Sequence, residues 1–208
     1  MPLQNRVDPW ARLNAVPERG AYMGNRGILH DERRKVVRPW ANKMWITCAL
    51  EFGDRKRSVF SQSSYSELFF LDEATAFAAG HRPCSECRRD RFVDFKAAWL
   101  VANMPQASSK STKIAELDKV LHNERAARGG GKVTHQASLG SLPSGTMFQM
   151  EGAAYLVWKR KVFAWSFGGY TPVAVFPASK EVAVPTPASL VRMFSSGFAP
   201  CVHVSAGG

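Results

Sequence analysis

With 208 residues and a formal net charge of +11, the chain is long enough to bury a core and basic enough to attract polyanions. Hydrophobic residues make up 45% and charged residues 22%, a balance that excludes an intrinsically disordered chain, which lacks the apolar surface to offset ordering entropy. Residues 1–6 are polar and no run approaches the ~18 apolar residues needed to span a bilayer, so a cytoplasmic protein with no membrane partner is expected.

Residues 1–20, with Pro2, Pro9 and Pro17, read as an extended arm anchored by Trp10. In residues 44–52, Ile46, Cys48, Leu50 and Phe52 alternate with Trp45, Thr47, Ala49 and Glu51, the two-residue period of a strand that turns Cys48 toward the core. Gly53 and Asp54 turn the chain, and residues 55–60 are expected to return as a hairpin partner. Residues 68–71 form a short apolar strand candidate. Asp72 follows as the expected N-cap of a helix over 73–79, stopped by Gly80.

A longer helix is expected over 88–102, where Phe92, Phe95, Trp99 and Leu100 recur at helical spacing and pack inward. Residues 104–112 read as a connector. The next helix, 113–127, ends at Gly129, Gly130 and Gly131, and a polar loop runs on to Gly145. Residues 154–158 and 162–167 flank Lys159, Arg160 and Lys161 as a hairpin with a basic tip, and 171–176 add a strand. Thr186 as N-cap with Pro187 at the first helical position opens a final short helix.

Four cysteines in a reducing compartment point to metal binding or thiol chemistry rather than a disulfide frame. Cys84-Ser-Glu-Cys87 has the spacing at which one tight turn brings two thiolates to a single tetrahedral ion. A thioredoxin-like redox pair is the rival reading, but such a pair follows a core strand directly and opens a helix, whereas here a helix precedes the cysteines.

The neighbouring words are Phe70-Leu71-Asp72-Glu73-Ala74 and then Ala78-Ala79-Gly80-His81-Arg82-Pro83-Cys84-Ser85-Glu86-Cys87-Arg88. Over residues 68–88 this order resembles the second half of the N-terminal zinc domain of the bacterial Ada alkylation-response proteins. In that family four cysteines hold zinc and one of them attacks a methylated DNA phosphate. Here Cys48 is the sole upstream cysteine, and Gly27-Ile28-Leu29-His30 falls where the family's first ligand segment begins. The resemblance therefore implies His30, Cys48, Cys84 and Cys87 as zinc ligands, with His81, Cys201 and His203 as substitutes for the fourth. A closed four-ligand site makes the zinc structural. Replacing one thiolate by imidazole also brings the net charge from about −2 to about −1, which weakens the sulfur as a methyl acceptor.

Arg33, Arg34, Lys35 and Arg38 precede Trp40 and Trp45, with Arg55 and Arg57 beyond and Lys159 and Arg160 at the later hairpin tip. Cations that neutralise phosphates beside aromatics that stack on unpaired bases fit a nucleic-acid face; a solvated surface over core tryptophans is the competing reading. With zinc assigned to structure, a carboxylate that activates water becomes the candidate for chemistry. Glu124 falls on the Ile114, Leu117, Leu121 stripe, where it either pairs with an arginine or works as a base, and Asp31 and Glu67 are further candidates. No P-loop, dinucleotide glycine motif, His-Glu-x-x-His or Gly-x-Ser-x-Gly occurs, so no nucleotide cofactor is expected.

The expected fold is α+β: an Ada-like zinc module over 21–103 packed with a helix and a β-rich part over 113–208 that share its core. The expected function is a zinc-stabilised enzyme on damaged or modified DNA, acting by hydrolytic base excision as a DNA glycosylase does. A non-catalytic zinc DNA-binding module and a self-alkylated repair acceptor are the alternatives.

Overall fold

The computed structural model describes residues 1–54, 58–107, 111–174 and 176–207, and among these the fold is mixed α+β with four α-helices and two six-stranded sheets. The first sheet has the order β2-β1-β5-β3-β4-β6. Its strands are β1 (Arg6–Val7), β2 (Leu13–Asn14), β3 (Tyr22–Asn25), β4 (Ile46–Cys48), β5 (Leu68–Phe70) and β6 (Arg82–Pro83). The first 20 residues are therefore no free arm: Arg6 pairs with Phe69 in a parallel register and Val7 is fully buried. The strand over 44–52 is shorter than its alternation predicts. Leu50 and Phe52 are exposed, so only three residues of that run join the ladder.

The second sheet has the order β11-β10-β9-β8-β12-β7. It is built from β7 (His135–Ser138), β8 (Met147–Met150), β9 (Ala153–Trp158), β10 (Lys161–Ser166), β11 (Gly169–Pro172) and β12 (Glu181–Val184). The β9–β10 hairpin forms as its sequence predicts. Lys159 and Arg160 both take positive φ, 48° and 64°, as the tight two-residue turn with the right twist requires. The polar stretch before Gly145, expected as loop, supplies β7, because its backbone completes the edge beside β12.

Helix α1 (Glu73–Ala78) joins the two halves and is buried on every side. Ala74 and Ala78 pack with Met147, Leu156 and Trp158 of the second sheet. Ala76 joins Leu68 and Phe70 of the first, while Phe77 enters a helical core. A helix surrounded in this way has room only for small side chains on most faces, which is the physical reason for its alanines. Asp72 caps it as predicted, accepting the Thr75 N–H at 2.8 Å. Asp72 also accepts the Tyr170 hydroxyl at 2.8 Å, tying the cap to the second sheet.

The helical core combines Phe95, Trp99 and Leu100 of α2 (Arg89–Asn103) with Leu117 and Leu121 of α3 (Ile114–Arg125) and Leu190, Met193 and Phe194 of α4 (Ala188–Ser195). The 21–103 and 113–208 parts thus share cores. Among the described residues no helix is long and apolar enough to cross a membrane.

Candidate metal centre and its cavity

The parallel pairing of β4 with β6 sets Ile46 opposite Arg82 and Thr47 opposite Pro83. The next residue on each strand is a cysteine, Cys48 and Cys84, and the Cys84 N–H donates to the Thr47 carbonyl at 2.8 Å. A turn then leads toward α2 and carries Cys87 back. The result is a group in which the Sγ atoms of Cys48, Cys84 and Cys87 lie within 4.8 Å of one another, close enough to hold one metal ion. Cys48 and Cys84 are buried and Cys87 is half-buried.

The three thiols do not share charge equally. The Cys84 thiol is pulled down to about 5, chiefly by a hydrogen bond from Cys48 and, against its burial, by the backbone N–H groups of Glu86 and Cys87. Cys48 is pushed up because it donates to Cys84 and is buried beside it. Burial also raises Cys87, although the Ala49 backbone N–H opposes this. The trio therefore accepts one negative charge readily and resists three, unless a cation in its midst neutralises them.

The three cysteines line a cavity of about 520 Å³ that Glu67 and Tyr65 also line. Apolar wall comes from Met23, Ile46 and Leu50. Glu67 is 3% exposed, and its Oε2 accepts the Phe60 N–H at 2.8 Å. Of the three carboxylates singled out by the sequence, Glu67 is the one that faces the thiol group's cavity.

The other two have structural duties. Glu124 accepts the Ser189 N–H at 3.1 Å, so it caps α4, and its second oxygen lies 3.6 Å from the Arg192 guanidinium. Its expected place on the buried stripe belongs instead to Arg125, four residues after Leu121 and fully buried. Asp31 Oδ1 accepts the N–H groups of Arg33 and Lys35, each at 2.9 Å, and so shapes the turn between His30 and Val36.

The structure does not bring His30 to the cysteines. Its Nδ1 lies 2.6 Å from the Ser66 hydroxyl and its ring stacks on Phe60, outside the three-sulfur group. The substitutes are elsewhere too: His81 accepts from the Arg26 guanidinium, His203 pairs with Ser205, and Cys201 is exposed. Among the described residues no fourth His, Cys, Asp or Glu joins the group.

Of the expected nucleic-acid residues, Arg33, Arg34 and Lys35 are exposed together on the Asp31 turn. Arg38, Trp40 and Trp45 line a second cavity, in which Trp45 is buried to 1% exposure and so serves as wall rather than free stacking face. Lys159 and Arg160 are exposed at the β9–β10 tip; Arg55 and Arg57 lie outside the described residues. Sequence reasoning passed over Arg26 and Arg125, the two buried cations of that second cavity. For Arg125 the signal was present, as the next step of the 117, 121, 125 stripe.

No family model, no curated protein and no solved structure matches the chain.

Proposed function

We propose that this protein binds one zinc ion through Cys48, Cys84 and Cys87 and acts on modified DNA, hydrolysing the bond between a base and its sugar. The observation that carries this reading is the presence of three thiols and the Glu67 carboxylate on one cavity, together with the +11 net charge that favours a polyanionic substrate. Three thiolates suit zinc because it accepts soft sulfur ligands in tetrahedral geometry. A zinc ion held by Cys48, Cys84 and Cys87 would supply Lewis acidity to this cavity, a role beyond the purely structural one expected of a closed site.

At about 520 Å³ the cavity is in the range of small-molecule sites, roughly 300–1,000 Å³. An extruded base fits such a volume, and the Met23, Ile46 and Leu50 wall suits its faces. Glu67 takes a proton from water as the water oxygen bonds to the sugar carbon. The carbon–nitrogen bond to the base breaks, and the base leaves with the electron pair and is protonated from solvent.

Duplexes carrying a panel of alkylated, oxidised and deaminated bases, assayed for abasic sites, test this. The wild type is expected to generate them on at least one lesion; Glu67→Gln should abolish turnover while zinc content and DNA affinity stay close to wild type. Unchanged turnover in Glu67→Gln would remove the carboxylate from the mechanism.

One observation favours a second reading. The Cys84 thiol, pulled down to about 5 chiefly by its hydrogen bond from Cys48, lines the same cavity, as a self-alkylated repair acceptor requires. A gain of one methyl mass on Cys48, Cys84 or Cys87 after exposure to alkylated DNA, with no abasic sites, selects that reading.

A further inference from the structure

Away from the thiol group, a cavity of about 370 Å³ opens between the N-terminal segment, the chain around Pro39, the end of α3 and the loop after it. Among the described residues five cations line it, Arg12, Arg26, Arg38, Arg125 and Lys132, and no aspartate or glutamate does. Arg26 and Arg125 are 1% and 0% exposed, and their guanidinium carbons lie 4.1 and 4.4 Å from the Trp45 ring centroid.

The hydrogen bonds of these two arginines go to neutral groups. Arg26 donates to His81 Nε2 and to the carbonyls of Ala11 and Pro39, and Arg125 donates to the carbonyls of Gly80 and Lys43. Lys132 Nζ donates to the Ala78 carbonyl. Among the described residues neither arginine forms an ion pair, and Arg26 Nη2 and Arg125 Nε are buried with no hydrogen-bond partner. The nearby carboxylates are committed: Asp8 binds Arg12 at 2.7 Å and Asp118 holds Arg82 through both oxygens at 2.7 and 2.8 Å.

Buried charge that is not neutralised costs free energy, and an entering anion recovers it. Burial holds Arg26 and Arg125 down to about 9, and at Arg125 the charges of Arg26 and Arg82 add to it, which registers the same deficit. Guanidinium forks match phosphate oxygens better than any other side chain does. Trp10 and Trp40, both half-buried on the cavity wall, add aromatic faces of the kind on which an unpaired base stacks.

We infer that this cavity is a binding site for one unpaired nucleotide of a DNA strand, its phosphate held by Arg26, Arg38 and Arg125 and its base against Trp40 or Trp10. The inference rests on the reading of DNA as partner and adds a second point of contact, distinct from the thiol group's cavity. Each of the two arginines already anchors backbone carbonyls of separate segments, so the site is built before the ligand arrives.

The zinc-loaded protein titrated at low salt with deoxyadenosine monophosphate, inorganic phosphate and deoxyadenosine, followed by tryptophan fluorescence, is the experiment. It needs neither modified DNA nor turnover, so its failure is separate from failure of the proposed activity. The expected result is saturable quenching by the monophosphate, at least about tenfold tighter than phosphate, with the nucleoside weaker still. Arg26→Met and Arg125→Met risk misfolding; the exposed Arg38→Gln and the half-buried Trp40→Leu do not carry that risk to the same degree. Arg38→Gln should weaken the monophosphate about three- to tenfold, and Trp40→Leu should erase its advantage over phosphate. Absence of saturable quenching, equal affinity for phosphate and monophosphate, or wild-type affinity in both variants overturns the site.

Discussion

Glu124 accepts the Ser189 backbone N–H at 3.1 Å, so a side chain of α3 caps the first turn of α4. The carboxylate also faces the positive end of that helix's dipole, and Arg192, just under one turn on from Ser189, completes the arrangement at 3.6 Å. Glu124→Ala should therefore lower stability by about 0.5–2 kcal/mol, read from urea or thermal unfolding, without altering turnover on DNA. A loss of activity at unchanged stability would return Glu124 to the catalytic list.

Zinc content separates the two ligand sets. Native mass spectrometry is expected to find about one zinc per chain, lost in Cys48→Ser, Cys84→Ser and Cys87→Ser and retained in His30→Ala and Cys201→Ser. Chelation should lower the melting temperature of the wild type. Retention of zinc in all three cysteine variants would displace the proposed centre.

The buried Glu73 predicts a pH dependence. Its carboxylate is fully buried against Arg88 and Arg91, each at 2.6 Å, and accepts the Cys201 N–H. Burial by itself raises its carboxyl, but the hydrogen bonds and charges of Arg91 and Arg88 outweigh burial and hold it below its ordinary 4.5. Because the folded value is the lower one, this stabilisation is complete above about pH 4.5 and is lost as pH falls through the folded value. Glu73→Gln should cost about 3–5 kcal/mol at pH 7, since it leaves two arginines without their partner. The difference from wild type should narrow as pH falls below about 4.5 and through the lower folded value; acid unfolding curves that run parallel would contradict the assignment.

The turn shaped by Asp31 presents Arg33, Arg34 and Lys35 to solvent. If Arg33 and Arg34 neutralise phosphates, DNA affinity should fall log-linearly with salt, and the double change to alanine should flatten that slope by about 1.8. Because these side chains are exposed, stability should stay within about 0.5 kcal/mol of wild type. An unaltered slope would assign DNA contact to other cations, and the residues of the Trp40 cavity would be the next to test.

The sequence by itself determined what depends on near neighbours in the chain. The helical stripes of α2 and α3, the Asp72 cap, the β9–β10 turn and the Cys84–Cys87 spacing all follow from contacts within a few residues, where periodicity and turn chemistry act directly. The turn of Cys48 toward the core was legible from strand alternation. Its partner was not, because the pairing of β4 with β6 joins segments more than thirty residues apart and a parallel register leaves no local mark. The choice between Glu124 and Arg125 illustrates the same limit: one residue is about 100° of helix rotation, and only the tertiary setting of α3, with α4 beside Glu124 and Gly80, Lys43 and Trp45 around Arg125, decides which side chain is buried. His30 was placed with the cysteines by resemblance, and tertiary structure put it against Ser66 and Phe60 instead. Arg26 stood in no pattern at all, since a buried cation held by carbonyls from several segments is defined by the surroundings that close around it.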